Sequence, residues 1–413
     1  MWTKSFRTEE MTKTKRKILY IEGSPYVNYP TAPEENVGGS IKSLNYLIKG
    51  LNADQFTSSV FLFYNSILFN GFKSLPPKIS IKTKEYRRRK TKKPINILFN
   101  EDFYLFLSYL KRSILHMVPS AFRMYSFLKK NNPDIVHCNG TLKLNMDSIL
   151  AARLAGIPCI CHVRGYEKLY FINKICASSV KYFICVSKAI RNNYLKQGIS
   201  KEKLVIIPNG LDIEDFPIPA HQHRSEQKFI ITTIGRMVHW KGHKELLKTI
   251  PLILQERKDV EFWIVGDGEL REDLETMATN LNIDQHIKFK GFTKDIVSIL
   301  LRTDLVVHIP TKPEPFGRIV IEAMALERPI IVTNMGGPSE IITDGQDGIL
   351  IEPNNPEQLA REVLKLLDDQ DLREKIGRAA RNKVEKKYDN MKTVKEIEQI
   401  YYKVLKNHAK KEI

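Results

Sequence analysis

Glu314 and Glu322 stand eight residues apart in a stretch that turns from loop into helix, Glu314-Pro-Phe-Gly-Arg-Ile-Val-Ile-Glu322. Pro313 and Pro315 keep the first carboxylate in extended backbone, and Gly317 lets a ligand approach the main chain closely. A helix opening near Arg318 points its first free N–H groups at whatever occupies that turn, and such helix N-termini bind phosphate. Glu322, one turn in, can accept hydrogen bonds from two vicinal hydroxyls, as a ribose offers them. Taken alone, the block reads as an anion and diol site at a strand-to-helix turn, or as an acidic helix start with a surface glutamate.

Other residues with chemical potential are scattered along the chain. Arg236 and Lys241 sit in Gly235-Arg236 and Lys241-Gly242, two cations on one glycine-bounded turn. His162, in His-Val-Arg-Gly, and His137, in Val-His-Cys-Asn-Gly, each close an apolar strand-like run. Gly38-Gly39-Ser40 precedes a helical pattern in which Leu44, Leu47, Ile48 and Leu51 recur on one face.

Residues so far apart in sequence need a scaffold that gathers them. Short β-branched or apolar runs at 17–23, 59–64, 134–138, 158–163, 182–186 and 204–207 alternate with helical patterns. After a Pro-rich polar stretch the rhythm restarts, with strands expected at 229–234, 261–265, 287–289, 305–309, 329–332 and 348–351. Helices are expected at 245–255, 319–325 and 356–367, with a last one from about Lys392. Strands alternating with helices predict parallel sheets with crossover helices. The chain thus divides into a polar lead-in (1–16), a first α/β domain (17–207), a linker (208–228), a second α/β domain (229–390) and a C-terminal helix (391–413). Two such domains leave a cleft at the carboxyl ends of both sheets, where doubly wound folds bind ligands.

The Glu314–Glu322 block resembles the Glu-x7-Glu signature of retaining glycosyltransferase family 4. Gly38-Gly39-Ser40 is similar to that family's N-terminal glycine loop, and Gly235-Arg236 with Lys241-Gly242 to its Gly-Arg and Lys-Gly element. Pro208-Asn209-Gly210-Leu211-Asp212 resembles its interdomain segment, and Gly336-Gly337-Pro338 with Glu340 its late glycine turn. These elements occur in family order across roughly 17–385.

The resemblance implies the GT-B fold, two Rossmann-like doubly wound domains facing across a cleft, with acceptor in the first and donor nucleotide mainly in the second. It implies that Arg236 and Lys241 clamp the donor diphosphate, whose charge grows as the glycosidic bond breaks. Glu322 would hold the ribose and Glu314 the hydroxyls of the transferred sugar. Phe316, Gly317, Arg318 and Ile319 would line the donor site, chiefly through backbone, and Gly38 and Gly39 would reach the diphosphate from the opposite domain. His162 matches the family's cleft histidine. The chain departs from the pattern at Val163-Arg164-Gly165, where the family often has Gly directly after the histidine. Arg164 is therefore expected on the acceptor side, favouring an anionic acceptor, and His137 is a second acceptor-side candidate. The expected reaction moves a hexosyl unit from a UDP- or GDP-linked sugar to a hydroxyl of a saccharide or lipid-linked acceptor, with retention. A nucleotide-sugar epimerase of the same architecture is the alternative within the fold.

Composition bounds the setting. At 42% hydrophobic and 27% charged residues the chain is of globular type, and it has no run of about 18 apolar residues that would cross a membrane. All five cysteines lie between Cys138 and Cys185, as expected of buried thiols in a reducing, cytoplasmic compartment. No metal is expected: Asp369-Gln-Asp371 falls among late helices and reads as a surface loop, and no other cofactor is implied. The net charge of +18 is uneven, since residues 1–205 carry 34 Lys/Arg against 13 Asp/Glu, a difference of +21. The run from Lys82 to Lys93 holds eight Lys/Arg and one Glu, followed by an apolar helical pattern through Phe103, Phe106, Leu107, Leu110 and Ile114. Either it is a charged surface loop before a core helix, or it docks on an anionic membrane face. Nucleic acid is not an expected partner, because no recognised binding motif accompanies the charge.

Overall fold

The computed structural model describes residues 15–23, 39–62, 80–83, 117–217 and 228–409. Among them, seven parallel strands form a first sheet: β1 Arg16–Glu22, β2 Phe56–Leu62, β3 Ser80–Thr83, β4 Ile135–Asn139, β5 Cys159–Val163, β6 Val180–Cys185 and β7 Leu204–Ile206. Their order is β3-β2-β1-β4-β5-β6-β7. Apart from β3, the strands place chiefly Ile, Val, Leu, Phe and Cys in the core, as parallel strands covered on both faces must. β3 had no strand signal, because its four residues include one aliphatic side chain and its second half opens the basic run. Lys82 lies in this strand and not in a loop. Gly38, the rest of the basic run to Lys93 and the pattern from Phe103 to Ile114 lie outside the described residues.

Helix α1, Gly39–Gly50, covers one face of this sheet. Helices α2 Val118–Asn131, α3 Met146–Ala155, α4 Phe171–Ser179 and α5 Lys188–Lys196 follow in the chain. Their buried residues join the core on the opposite face, where α2 packs on α3 and α3 on α4.

The second sheet contains, among the described residues, β8 Phe229–Ile234, β9 Val260–Val265, β10 Ile287–Gly291, β11 Leu305–His308, β12 Ile330–Thr333 and β13 Ile349–Ile351. Its order is β10-β9-β8-β11-β12-β13, all parallel. Helices α6 His243–Glu256, α7 Arg271–Asn280, α8 Ile296–Leu301, α9 Arg318–Ala325, α10 Gly336–Ile341 and α11 Pro356–Asp368 alternate with these strands. Two long helices close the chain, α12 Gln370–Lys387 and α13 Asn390–Ala409.

In each sheet the strand order reverses at one point, β1/β4 in the first and β8/β11 in the second. Ligands bind at such switch points because the loops on either side diverge and leave a crevice. The motif residues sit in those loops: Gly39 after β1, Arg236 and Lys241 after β8, Glu314 after β11.

The chain crosses between the sheets twice. At the first crossing Leu211 pairs with Asp389 of the second. The Leu211 N–H donates to the Tyr388 carbonyl and its own carbonyl accepts from the Asn390 N–H, both at 3.0 Å. Gly210 is obligatory here, since a Cβ would stand 2.6 Å from the Asn390 Cα. Beyond that joint α13 lies back on the first sheet. Val394, Ile397, Ile400 and Val404 form a helical stripe buried against Ile18, Leu44 and Leu47, each burial contributing roughly 1.5–3 kcal/mol.

Candidate active site

The loop between β11 and α9 is fixed from behind by its own backbone. The Glu314 carbonyl accepts the Gly337 N–H at 2.8 Å, and Glu314 bridges Gly336. A Cβ on Gly337 would lie 2.3 Å from the Pro315 carbonyl oxygen and 2.6 Å from the Phe316 Cα, so only glycine lets the two turns touch. Gly337→Ala is therefore expected to displace the Glu314 loop and lower both the melting temperature and donor affinity. An unchanged nucleotide affinity, measured by titration calorimetry, would show that the loop does not depend on this contact.

The Glu314 side chain is largely shielded, 13% exposed, and held at both oxygens. Oε1 accepts from Lys241 Nζ at 2.8 Å and Oε2 from His308 Nε2 at 2.7 Å. Burial alone would push its carboxyl upward, but His308 and Lys241 outweigh it and bring it down to about 2. Glu314 is thus an anion poised to accept hydroxyls and not an acid. His308 carried a readable signal, as a strand-end histidine six residues before Glu314.

Lys241 owes its place to a second glycine set. A Cβ on Gly242, whose φ is +82°, would stand 1.9 Å from the Ile309 carbonyl oxygen. The Thr311 N–H donates to the Trp240 carbonyl at 2.8 Å, while the Lys241 ammonium lies 4.6 Å from the Trp240 ring centroid. The Gly235–Met237 turn rests on Gly266 and Gly268 after β9, where side chains would meet the Gly235 and Met237 carbonyls. Arg236 is held there by its backbone: its carbonyl meets His243 Nε2 at 3.0 Å while its side chain is exposed.

Glu322 lies one turn into α9 and is buried. Its Oε1 accepts from Lys42 Nζ at 2.9 Å and from Arg318 at 3.2 Å. Burial raises its carboxyl, but Arg318 and Lys42 prevail and the net shift is downward. Lys42 belongs to α1 in the first domain, so the Glu322 carboxylate is gripped from across the cleft. Arg318 also donates to Ser43 Oγ at 2.9 Å and stacks 5.2 Å from the Tyr46 ring centroid. Gly39 packs against it, with space for a Cβ only 3.3 Å from the Arg318 Cδ. Nothing in the sequence pointed to Lys42, whose partner is 280 residues away. Phe316 and Ile319 bury their side chains in the core, leaving their backbone as the only part that can meet a ligand.

The first sheet supplies the floor. Arg164 Nε donates to Asn139 Oδ1 and Nη1 to Asn209 Oδ1, both at 2.5 Å, and Nη2 approaches His162 Nδ1 at 3.4 Å. Asn139 in turn donates to Glu22. All three guanidinium nitrogens thus have partners inside the protein, and half-buried Arg164 ties the β4 and β5 ends to the interdomain segment. Burial lowers Arg164 to about 9 and raises Glu22 to about 7, with Asn139 and Arg164 opposing the rise.

His162 is buried, and burial followed by Arg164 and His137 holds its imidazole well below the ordinary range, hence neutral. With Nδ1 turned to Arg164, the proton belongs on Nε2, a buried nitrogen with no partner among the described residues. His137 is fully buried, and its Nδ1 shares a 2.7 Å hydrogen bond with the Tyr401 hydroxyl of α13, so it supports the floor from beneath. Asp369 and Asp371 do not form a loop: Asp369 caps α12, accepting the Leu372 N–H at 2.8 Å. Among the described residues no group of three potential ligands could hold a metal ion.

Two family models cover most of the chain. One, described as Glycosyl transferases group 1, matches residues 215–383, and the other, Glycosyltransferase Family 4, matches residues 84–215. Among curated relatives, the Escherichia coli UDP-Gal:alpha-D-GlcNAc-diphosphoundecaprenol alpha-1,3-galactosyltransferase is 28% identical over 71% of this chain and 82% of its own. The Staphylococcus aureus capsular polysaccharide biosynthesis glycosyltransferase CapM is 27% identical over 70% and 81%. Two solved structures share the fold. Anabaena HepE in complex with UDP and glucose superposes with a TM-score of 0.75 at 21% identity, covering 94% of this chain and 99% of that one. A glycosyltransferase from Rickettsia africae gives 0.75 at 23% identity, covering 95% and 99%.

Proposed function

This chain is a group 1 glycosyltransferase of GT-B fold, and from that premise we propose that it moves a hexosyl unit from a nucleoside diphosphate sugar to an acceptor hydroxyl with retention. The observation that carries this reading is the shielded Glu314 anion fixed between Lys241 and His308 at the start of α9. Such a carboxylate accepts sugar hydroxyls, while Lys241 beside it is placed to meet the phosphate.

In the proposed reaction the acceptor oxygen bonds to the anomeric carbon on the face from which the diphosphate departs. The bond from that carbon to the phosphate oxygen breaks, and the departing phosphate takes the proton of the incoming hydroxyl. Atoms and charge balance without an enzyme nucleophile. Arg236, Lys241 and the opening turn of α9 stabilise the growing negative charge, the largest lever such a site has. That much fixed positive charge is the reason for proposing that no metal takes part. Neutral His162 would donate from Nε2 to a sugar oxygen, and Glu322 would take the ribose once Lys42 and Arg318 give way.

The acceptor is proposed to be a lipid-linked or growing surface saccharide, reached from the cytoplasmic face. The Escherichia coli relative, whose name specifies a diphosphoundecaprenol-linked acceptor, supports that choice. No helix among the described residues is long and apolar enough to span a membrane. The donor is tested by a thermal-shift panel of UDP, GDP and ADP. One nucleotide, at a hundredfold excess over its dissociation constant, should stabilise the protein by about 2.7 kcal/mol. Uridine comes first, since relatives of both kinds are described with it. The absence of a shift with every nucleotide would sink the reading.

A further inference from the structure

Between residues 117 and 200 the chain carries twelve Lys/Arg and three Asp/Glu. None of the three acids is exposed: Asp147 is buried, and Asp134 and Glu167 are half-buried, bonded to Arg16 and Tyr194. Every exposed ionisable side chain in this stretch is therefore a cation. The same helices leave large apolar groups in solvent, with Phe171 74%, Phe122 60%, Leu154 51% and Ile175 49% exposed. Arg123 adjoins Phe122, Arg153 adjoins Leu154, and Lys174 lies between Phe171 and Ile175. Solvated faces normally mix both signs and hide their phenylalanines. This one does neither.

We propose that the outer faces of α2, α3 and α4 form a docking surface for an anionic phospholipid bilayer. The cations answer the headgroup charge, and the phenylalanines and isoleucine are of the kind that enters the headgroup–acyl boundary. A polynucleotide would satisfy the cations and leave the aliphatic groups unexplained. The surface is also in the right place. α2 runs directly into the amino end of β4, so it begins at the carboxyl end of the sheet, and α4 begins just after the carboxyl end of β5. Phe122 and Phe171, in the first turns of those helices, lie toward the cleft. A bilayer seated there brings a lipid-linked hydroxyl to the acceptor side, and to that extent the surface rests on the acceptor reading above.

Flotation of the full chain tests this, using vesicles of phosphatidylcholine alone and with about a third phosphatidylglycerol. The protein is expected to float only with the anionic vesicles, and less as salt rises. Two double variants, Phe122→Ser with Phe171→Ser and Arg123→Glu with Lys174→Glu, should each lower the bound fraction at least about tenfold. Both should keep the nucleotide-induced thermal shift, which separates loss of docking from loss of fold. No flotation at low salt, or flotation undiminished in both variants, overturns the proposal. So does tighter retention of single-stranded DNA than of vesicles that survives the phenylalanine substitutions. A protein that floats but shifts with no nucleotide would sink the donor reading and leave the surface standing.

Discussion

Lys241→Ala is expected to lower turnover by about two to three orders of magnitude, the range seen when a fixed charge-stabilising donor is removed. The same substitution is expected to cost stability, because it leaves the shielded Glu314 carboxylate with His308 alone. Breaking one side of a buried pair costs about 3–5 kcal/mol, most of it for the charge left behind. The two effects have different origins and can be separated. Adding Glu314→Gln removes the stranded charge, so the double variant should regain most of the lost melting temperature while turnover stays low. If turnover returns with stability, Lys241 serves only as a partner for Glu314 and the phosphate clamp lies elsewhere.

Acid titration gives an independent check. The Glu314 carboxyl sits at about 2 in the folded chain against 4.5 when unperturbed. A depressed folded value means stability fully present above 4.5 and lost as pH falls toward 2, on the order of 3 kcal/mol in all. In Lys241→Ala that contribution should shrink, its loss still beginning near 4.5 but reaching completion at higher pH.

The second large effect is expected at Glu322→Ala, where donor KM should rise about a hundredfold with a smaller change in kcat. Two hydrogen bonds to a charged acceptor are each worth roughly 1.5–3 kcal/mol, and both would be lost with the ribose hydroxyls. Removing the carboxylate also leaves Lys42 and Arg318 facing each other across the domain boundary with no anion between them. Steady-state kinetics with varied donor decides the matter. An unchanged KM in a folded variant would place the ribose away from α9.

What could be read from the chain alone followed the physics of local signals. β8 was readable to the residue because Phe229–Ile234 is an unbroken apolar and β-branched run between polar flanks. β3 was not, because Ser80–Thr83 carries too little apolar character to stand out from the basic run, and the sheet supplies its strand geometry. The Glu314 loop announced itself through proline and glycine, whose backbone constraints are local. Its partners did not. Lys42 and His308 become site residues only through ion pairs, and for Lys42 the pair depends on how two domains face each other. The internal partners of Arg164 and His137 were hidden for the same reason. Position at a strand end is visible in sequence, but the hydrogen bonds to Asn209 and Tyr401 that turn them inward come from the interdomain segment and from α13.

The double crossing at Leu211 and Asp389 has a genetic consequence. The first domain is encoded in two pieces that flank the second domain, which is an insert between them. A truncation after the first crossing would strip α13 from the sheet and leave Ile18, Leu44 and Leu47 uncovered. Exchange of the second domain by recombination therefore needs two splice points, one at each crossing, so that it moves as a cassette while both pieces of the first domain stay together.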